Sequence, residues 1–231
     1  MKLVLFDVDG TLLSARGAGR RAIAVALEEV YGTRGGVETY DFHGKTDPQI
    51  LYDLLTGAGL PEPAIRAREA EFFERYVAHL GREVGAGAQV ELYPGVDALV
   101  RRLARSPGHL LGLLTGNIEA GARIKLAPTG LAAYFRVGAY GSDAADRTRL
   151  PAVAAERARR LVGRAFQGPD VVVIGDTPLD IACGRAFGAR VVAVATGRHG
   201  VEELATHAPD LLFADFGEPE RVLRALLDGV V

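Results

Sequence analysis

Six short aliphatic runs, most of them followed by turn residues and a helical pattern, restrict this chain to very few folds. They are LVLF (3–6), LLGLL (110–114), RVGAY (136–140), VVVIG (171–175), VVAVA (191–195) and the weaker DLLFA (210–214). Runs that are apolar on both strand faces read as buried parallel strands, each covered by helices on two sides. The segments between them carry single apolar stripes at helical spacing. One holds Val96, Leu99, Val100 and Leu103, a second Leu150, Val153, Ala154, Ala158 and Leu161, and a third Val222, Leu223 and Leu226. Alternation of this kind predicts an α/β fold with a doubly wound, Rossmann-like parallel sheet. In such sheets ligands sit at the carboxyl ends of the strands, near the switch in strand order.

Residues 15–90 break the rhythm. They contain three helical stripes: Ile23, Leu27, Val30 and Tyr31; Ile50, Leu51, Leu54 and Leu55; and Ile65, Phe72, Phe73, Tyr76, Val77 and Leu80. This segment reads as a small all-helical domain inserted after the first strand, its stripes meeting in a miniature core. The α/β domain then comprises residues 1–14 and 91–231, with the glycine-rich GAGAQVELYPG (85–95) as the return linker.

Composition narrows the function classes. With 231 residues, 48% hydrophobic and 24% charged, the chain can bury a sizeable core. A net charge of −2 gives no electrostatic case for nucleic acid or an anionic membrane as the main partner. The apolar runs fall well short of the roughly 20 residues that span a bilayer. Asp7 and Asp9 interrupt the N-terminal apolar run too early for a signal peptide. A single cysteine, Cys183, makes no internal disulfide, which fits a reducing, cytoplasmic setting.

The chemistry gathers at strand ends. The first strand runs into Asp7, with Asp9 two positions later. Residues two apart share a strand face, so these carboxylates repel unless a cation lies between them. A hard divalent ion such as Mg²⁺ suits oxygen ligands of this kind. Alone, the triplet is equally a turn or a helix cap. The second strand ends in Thr115, Gly116 and Asn117, a hydroxyl followed by backbone N–H groups at a helix start, which suits a phosphate. The fourth delivers Asp176, with Asp180 one helical turn on. Separate turn and cap explanations would have to hold at all three strands at once.

In this order, DVDGT (7–11), LLTGN (113–117) and GDTPLD (175–180) resemble the haloacid dehalogenase superfamily of aspartate-nucleophile phosphohydrolases. The helical insert is similar in position to that family's C1-type cap, and the likeness is to its phosphoglycolate phosphatase and β-phosphoglucomutase branch. The resemblance implies that Asp7 is the nucleophile that takes the phosphoryl group. Asp9 would be the general acid and base, its backbone carbonyl also touching the metal. Asp7, Asp9 and Asp176 would hold Mg²⁺, with Asp180 supporting them. Thr115, Gly116 and Asn117 would bind phosphoryl oxygens.

The family's cationic residue is usually lysine, and no lysine follows position 125 here. An arginine in GAYGSDAADRTRLP (138–151) must serve: Arg147 by position, with Arg149 the runner-up. Lys125 reads as a helix-surface residue. In DFHGKTDPQI (41–50), Thr46 or Asp47 caps a helix with Pro48 in its first turn, and His43 and Lys45 are placed to meet an anionic substrate. His79, His109, His199 and His207 lack metal-ligand spacing, and Cys183 reads as packed.

The expected function is a Mg²⁺-dependent phosphomonoesterase for a small phosphorylated metabolite, acting as monomer or homodimer. A phosphomutase of the β-phosphoglucomutase type would keep the same acids. A dehalogenase or phosphonate-cleaving relative would not need Asp9. A non-catalytic metabolite-binding protein would be expected to have lost one of Asp7, Asp9 and Asp176, and all are present.

Overall fold

A computed structural model of the chain describes residues 1–85 and 90–228. Element order is β1 (Lys2–Phe6), β2 (Leu13–Ser14), α1 (Ala18–Tyr31), α2 (Asp47–Gly57), α3 (Glu62–Gly85), β3 (Glu91–Leu92), α4 (Val96–Arg105), β4 (His109–Thr115) and α5 (Glu119–Leu126). It continues through β5 (Val137–Tyr140), α6 (Leu150–Val162), β6 (Val171–Gly175), α7 (Pro178–Phe187), β7 (Arg190–Val194), α8 (Val201–Thr206), β8 (Leu211–Phe213) and α9 (Pro219–Asp228).

Six strands form one sheet in the order β5-β4-β1-β6-β7-β8. Every neighbouring pair in it is parallel. The chain leaves β1 for one side of the sheet and later crosses to the other, so the loops part above β1. Register makes that point a site. Phe6 lies level with Leu113 of β4 and with Ile174 of β6. The residues just beyond, Asp7, Thr115 and Asp176, therefore emerge side by side.

Both faces of the sheet are covered, which is why its strands are apolar throughout. Val4 and Phe6 point into one buried cluster, and Leu3 and Leu5 into another that is filled by α6. One expected core position differs. Leu161, in the last turn of α6, is 43% exposed. It flanks the outer strand β5, where the sheet ends, and Val162 packs instead.

The helical insert is α1, α2 and α3. Leu27, Val30, Leu51, Leu55, Ile65, Phe72, Tyr76 and Leu80 are all buried, while Phe73 and Val77 are only partly covered. Phe72 and Tyr76 stack at 6.4 Å, and the Tyr31 hydroxyl donates to the Ile65 carbonyl at 2.8 Å. The chain leaves and re-enters the α/β layer through an antiparallel pair, β2 with β3, which the sequence reading did not anticipate. Of the expected linker at 85–95, residues 86–89 lie outside the described residues. Among the described residues no helix is long and apolar enough to cross a membrane.

Candidate active site

Asp7 is the first residue past β1, its N–H bonded to the Ile174 carbonyl at 2.9 Å and its side chain buried. The chain then turns sharply at Gly10, with φ of 86°. Only glycine serves there: a Cβ would stand 2.2 Å from Asp176 Oδ2. The turn lets the Thr11 hydroxyl donate to Asp176 Oδ1 at 2.9 Å, tying the first loop to the tip of β6.

One carboxylate oxygen each from Asp7, Asp176 and Asp180 lies within 4.8 Å of the others, and all three side chains are buried. Asp180 belongs to a capping box at the start of α7. Its Oδ2 accepts from the Thr177 N–H at 3.0 Å and the Thr177 hydroxyl at 2.6 Å, and its Oδ1 accepts from Arg147. Both its oxygens are thus engaged, whereas Asp176 Oδ2 has no hydrogen-bond partner among the described residues.

Of the two candidate arginines, Arg147 is at the site and Arg149 is exposed. Arg147 opens a single tight helical turn, Arg147–Arg149, capped by Asp146. Its guanidinium lies 3.1 Å from Asp7 Oδ1, pairs with Asp180, and donates to the Gly44 carbonyl at 3.1 Å. The packed Cys183 thiol, pushed up to about 12 by burial, donates to the Arg147 carbonyl at 3.1 Å and steadies the turn.

The electrostatics follow from burial. Loss of water lifts Asp7 to about 7, against the pull of Arg147, and the charges of Asp180 and Asp9 add to the rise. Burial also raises Asp176 well above the carboxylate range, helped by Asp180 and Asp7. Burial works against the Arg147 charge, but Asp180 and Asp7 outweigh it and hold the group ionised. Three carboxylates and one guanidinium leave two uncompensated negative charges when all are ionised. An all-oxygen, buried, doubly negative group fits one hard divalent cation.

Asp9 lies outside that cluster. Its Oδ2 accepts from Asn117 Nδ2 at 2.7 Å and from Lys125 Nζ at 2.6 Å. Lys125 also donates to Asn117 Oδ1 at 2.6 Å and is only 5% exposed. This corrects the sequence reading of Lys125 as a surface residue. Helix α5 turns Gly121, Ala122, Lys125 and Leu126 inward, and the lysine end lies against Gly19 of α1, where a Cβ would stand 3.3 Å from Nζ.

The loop before α2 docks on the TGN segment. Thr46, not Asp47, caps α2, accepting from the Gln49 N–H at 3.2 Å, and its hydroxyl donates to the Ala145 carbonyl at 2.8 Å. The Asp47 N–H donates to the Gly116 carbonyl at 2.7 Å, and Asp47 Oδ2 accepts from the Ile118 N–H at 2.8 Å. Burial raises Asp47 to about 6, against the pull of Lys125 and the Ile118 N–H. Sequence reasoning did not assign Asp47 to the site's interior. Lys45 is held by the Tyr40 hydroxyl at 2.7 Å and by Asp53 at 3.3 Å, and His43 pairs with Asp41 at 2.6 Å. Both line a cavity of about 350 Å³ that also exposes Asp7, Asp9, Thr115, Gly116, Asn117, Lys125, Arg147 and Asp176. Asp180 contributes from behind its wall.

Fold and site together define an α/β protein with a helical insert, its polar groups converging above the first strand. Residues 4–185 match the family model for haloacid dehalogenase-like hydrolase. The phosphoglycolate phosphatase of Yersinia pseudotuberculosis is 28% identical over 218 residues, covering 93% of this chain and 90% of that protein. The phosphoglycolate phosphatase of Rhodospirillum rubrum is 30% identical over 222 residues, covering 93% and 88%. The crystal structure of a hydrolase from Pseudomonas syringae superposes with a TM-score of 0.73 at 19% identity, covering 96% of this chain and 98% of that one. The chain belongs to the haloacid dehalogenase-like hydrolases, in their phosphatase branch.

Proposed function

We propose that the protein is a Mg²⁺-dependent phosphomonoesterase that passes the phosphoryl group of a small metabolite first to Asp7 and then to water. The observation that carries this reading is the placement of Asp7: buried, against Arg147, beside Asp176, and open to a cavity of about 350 Å³. Asp7 and Asp176 would hold the cation, with the Asp9 carbonyl. Bound there, it would offset charge on the transferring group. Asp7 attacks phosphorus and the ester oxygen leaves with its electron pair, taking a proton from the Asp9 carboxyl. Asp9 then takes a proton from water, which attacks phosphorus and restores the Asp7 carboxylate.

Arg147 neutralises Asp7 and orients it, and Asp180 holds Arg147 in place. Thr115, Gly116 and Asn117 line the phosphate end, and His43 and Lys45 line the cap side. The boundary at residues 14 and 91 is supported by the β2–β3 ladder, where the cap segment, 15–90, leaves and rejoins the core. The cavity suits a small ligand, and six cationic side chains line it (Arg16, Arg20, Lys45, Lys125, Arg147 and Arg198) against four carboxylates (Asp7, Asp9, Asp47 and Asp176), which suits an anionic one. Phosphoglycolate, named in the relatives above, is the first substrate to try.

Phosphate release from 2-phosphoglycolate and a panel of metabolite phosphates, with Mg²⁺ or EDTA, tests this for native protein and Asp7→Asn. Release that needs both Mg²⁺ and Asp7 is the expected result. Release unaffected by Asp7→Asn refutes the reading, and isomerised product that needs a bisphosphate activator replaces it with a mutase.

A further inference from the structure

Resting on the phosphatase reading, we propose that Lys125 is the positioning residue for the acid and base Asp9. It fixes which carboxylate oxygen carries the proton.

The geometry is specific to one oxygen. Asp9 Oδ2 accepts two bonds, from Lys125 Nζ at 2.6 Å and from Asn117 Nδ2 at 2.7 Å. Asn117 Oδ1 accepts from the same ammonium at 2.6 Å, closing a three-membered ring of side chains. Asp9 Oδ1 takes no hydrogen bond among the described residues, and the side chain is 43% exposed where it lines the cavity. A carboxyl whose Oδ2 is held by two donors keeps its proton on Oδ1, the oxygen left free to meet an ester in the cavity. Without the ring the carboxylate can rotate, and the proton is delivered from a distribution of positions.

Lys125 is itself fixed. Its side chain is 6% exposed, and the packing around it comes from the helical insert as well as the core. A Cβ built on Gly19, in α1, would lie 3.3 Å from Lys125 Nζ and 3.9 Å from the Tyr76 hydroxyl of α3. Asp47, at the start of α2, feels the Lys125 charge. A lysine so placed has no ordinary surface role. Arg147 already serves the nucleophile, so the two cations divide the work, one on each catalytic acid.

The test is a leaving-group comparison on the full chain. p-Nitrophenyl phosphate releases a phenolate that needs no proton to depart; p-nitrobenzyl phosphate, nearly the same size, releases an alkoxide that needs one. In Lys125→Met, kcat/KM for the benzyl ester is expected to fall by about 100-fold, and for the phenyl ester by less than about fivefold. The ratio of the two cancels the folded fraction. In an Asp9→Asn background the same substitution is expected to leave the ratio unchanged. Equal losses on both esters, an equal rise in KM on both, or an undiminished effect in Asp9→Asn would overturn the proposal. If Lys125→Met yields no folded protein, Asn117→Ala removes the other donor to the same oxygen, and the same ratio decides. Native protein that hydrolyses neither ester nor 2-phosphoglycolate defeats the phosphatase reading itself; an active native enzyme with equal losses defeats this inference alone.

Discussion

Removing divalent metal should make the folded state lose stability as pH rises, and Mg²⁺ should restore it. Asp7 is raised from 3.8 to about 7, so the folded chain holds a proton that the unfolded chain has released. A raised carboxyl contributes stability below its unfolded value and loses it as pH climbs through the folded one. The window is therefore from about pH 4 to about pH 7, with stability falling upward. A shift of about three units corresponds to about 4 kcal/mol at most, and the raised Asp176 acts in the same direction. Mg²⁺ binds the ionised set and competes with those protons. At 100 times Kd it adds about 2.7 kcal/mol, or about 5–10 °C in Tm for a chain of this size. At pH 5 the gain should nearly vanish. Thermal unfolding of EDTA-stripped protein from pH 5 to 8, with and without Mg²⁺, reads both effects, with Asp176→Asn as reference. A Mg²⁺ shift that is the same at every pH, or that survives Asp176→Asn, would refute the reasoning.

Two further outcomes follow from packing. Gly116→Ala places a Cβ 2.0 Å from the Lys45 carbonyl oxygen, so the loop before α2 must lift; KM for the substrate should rise and tryptic cleavage near Lys45 should quicken. Phe72→Ala empties a fully buried site between α1 and α3 and should cost about 3–5 kcal/mol in urea unfolding.

The strands were legible because burial on both faces leaves a run of aliphatic residues that few other structures require. VVVIG matches β6 residue for residue, and LVLF differs from β1 only by Lys2. The acids at strand tips were legible because a carboxylate straight after such a run is costly without a partner. Lys125 was not, because its partner Asp9 lies 116 positions away and periodicity alone places a lysine on the wet face of a helix. Asp47 escaped for a similar reason: in sequence it is a helix-start acid, and only docking against Ile118 buries it. The two-residue ladder of β2 and β3 is too short to leave a pattern. Arg147 and Arg149 were separated only by the fold, which buries the first between Asp7 and Asp180 and leaves the second in solvent.

The central claim is covalent transfer to Asp7. Its most direct test is a single turnover of 2-phosphoglycolate, or of whichever ester the panel selects, with Mg²⁺, quenched in acid and digested for mass spectrometry. The account predicts one transient phosphoryl group on the peptide that carries Asp7, formed before phosphate appears and absent in Asp7→Asn. Phosphate released at full rate with no labelled peptide, and an Asp7→Asn variant that still turns over, would contradict it.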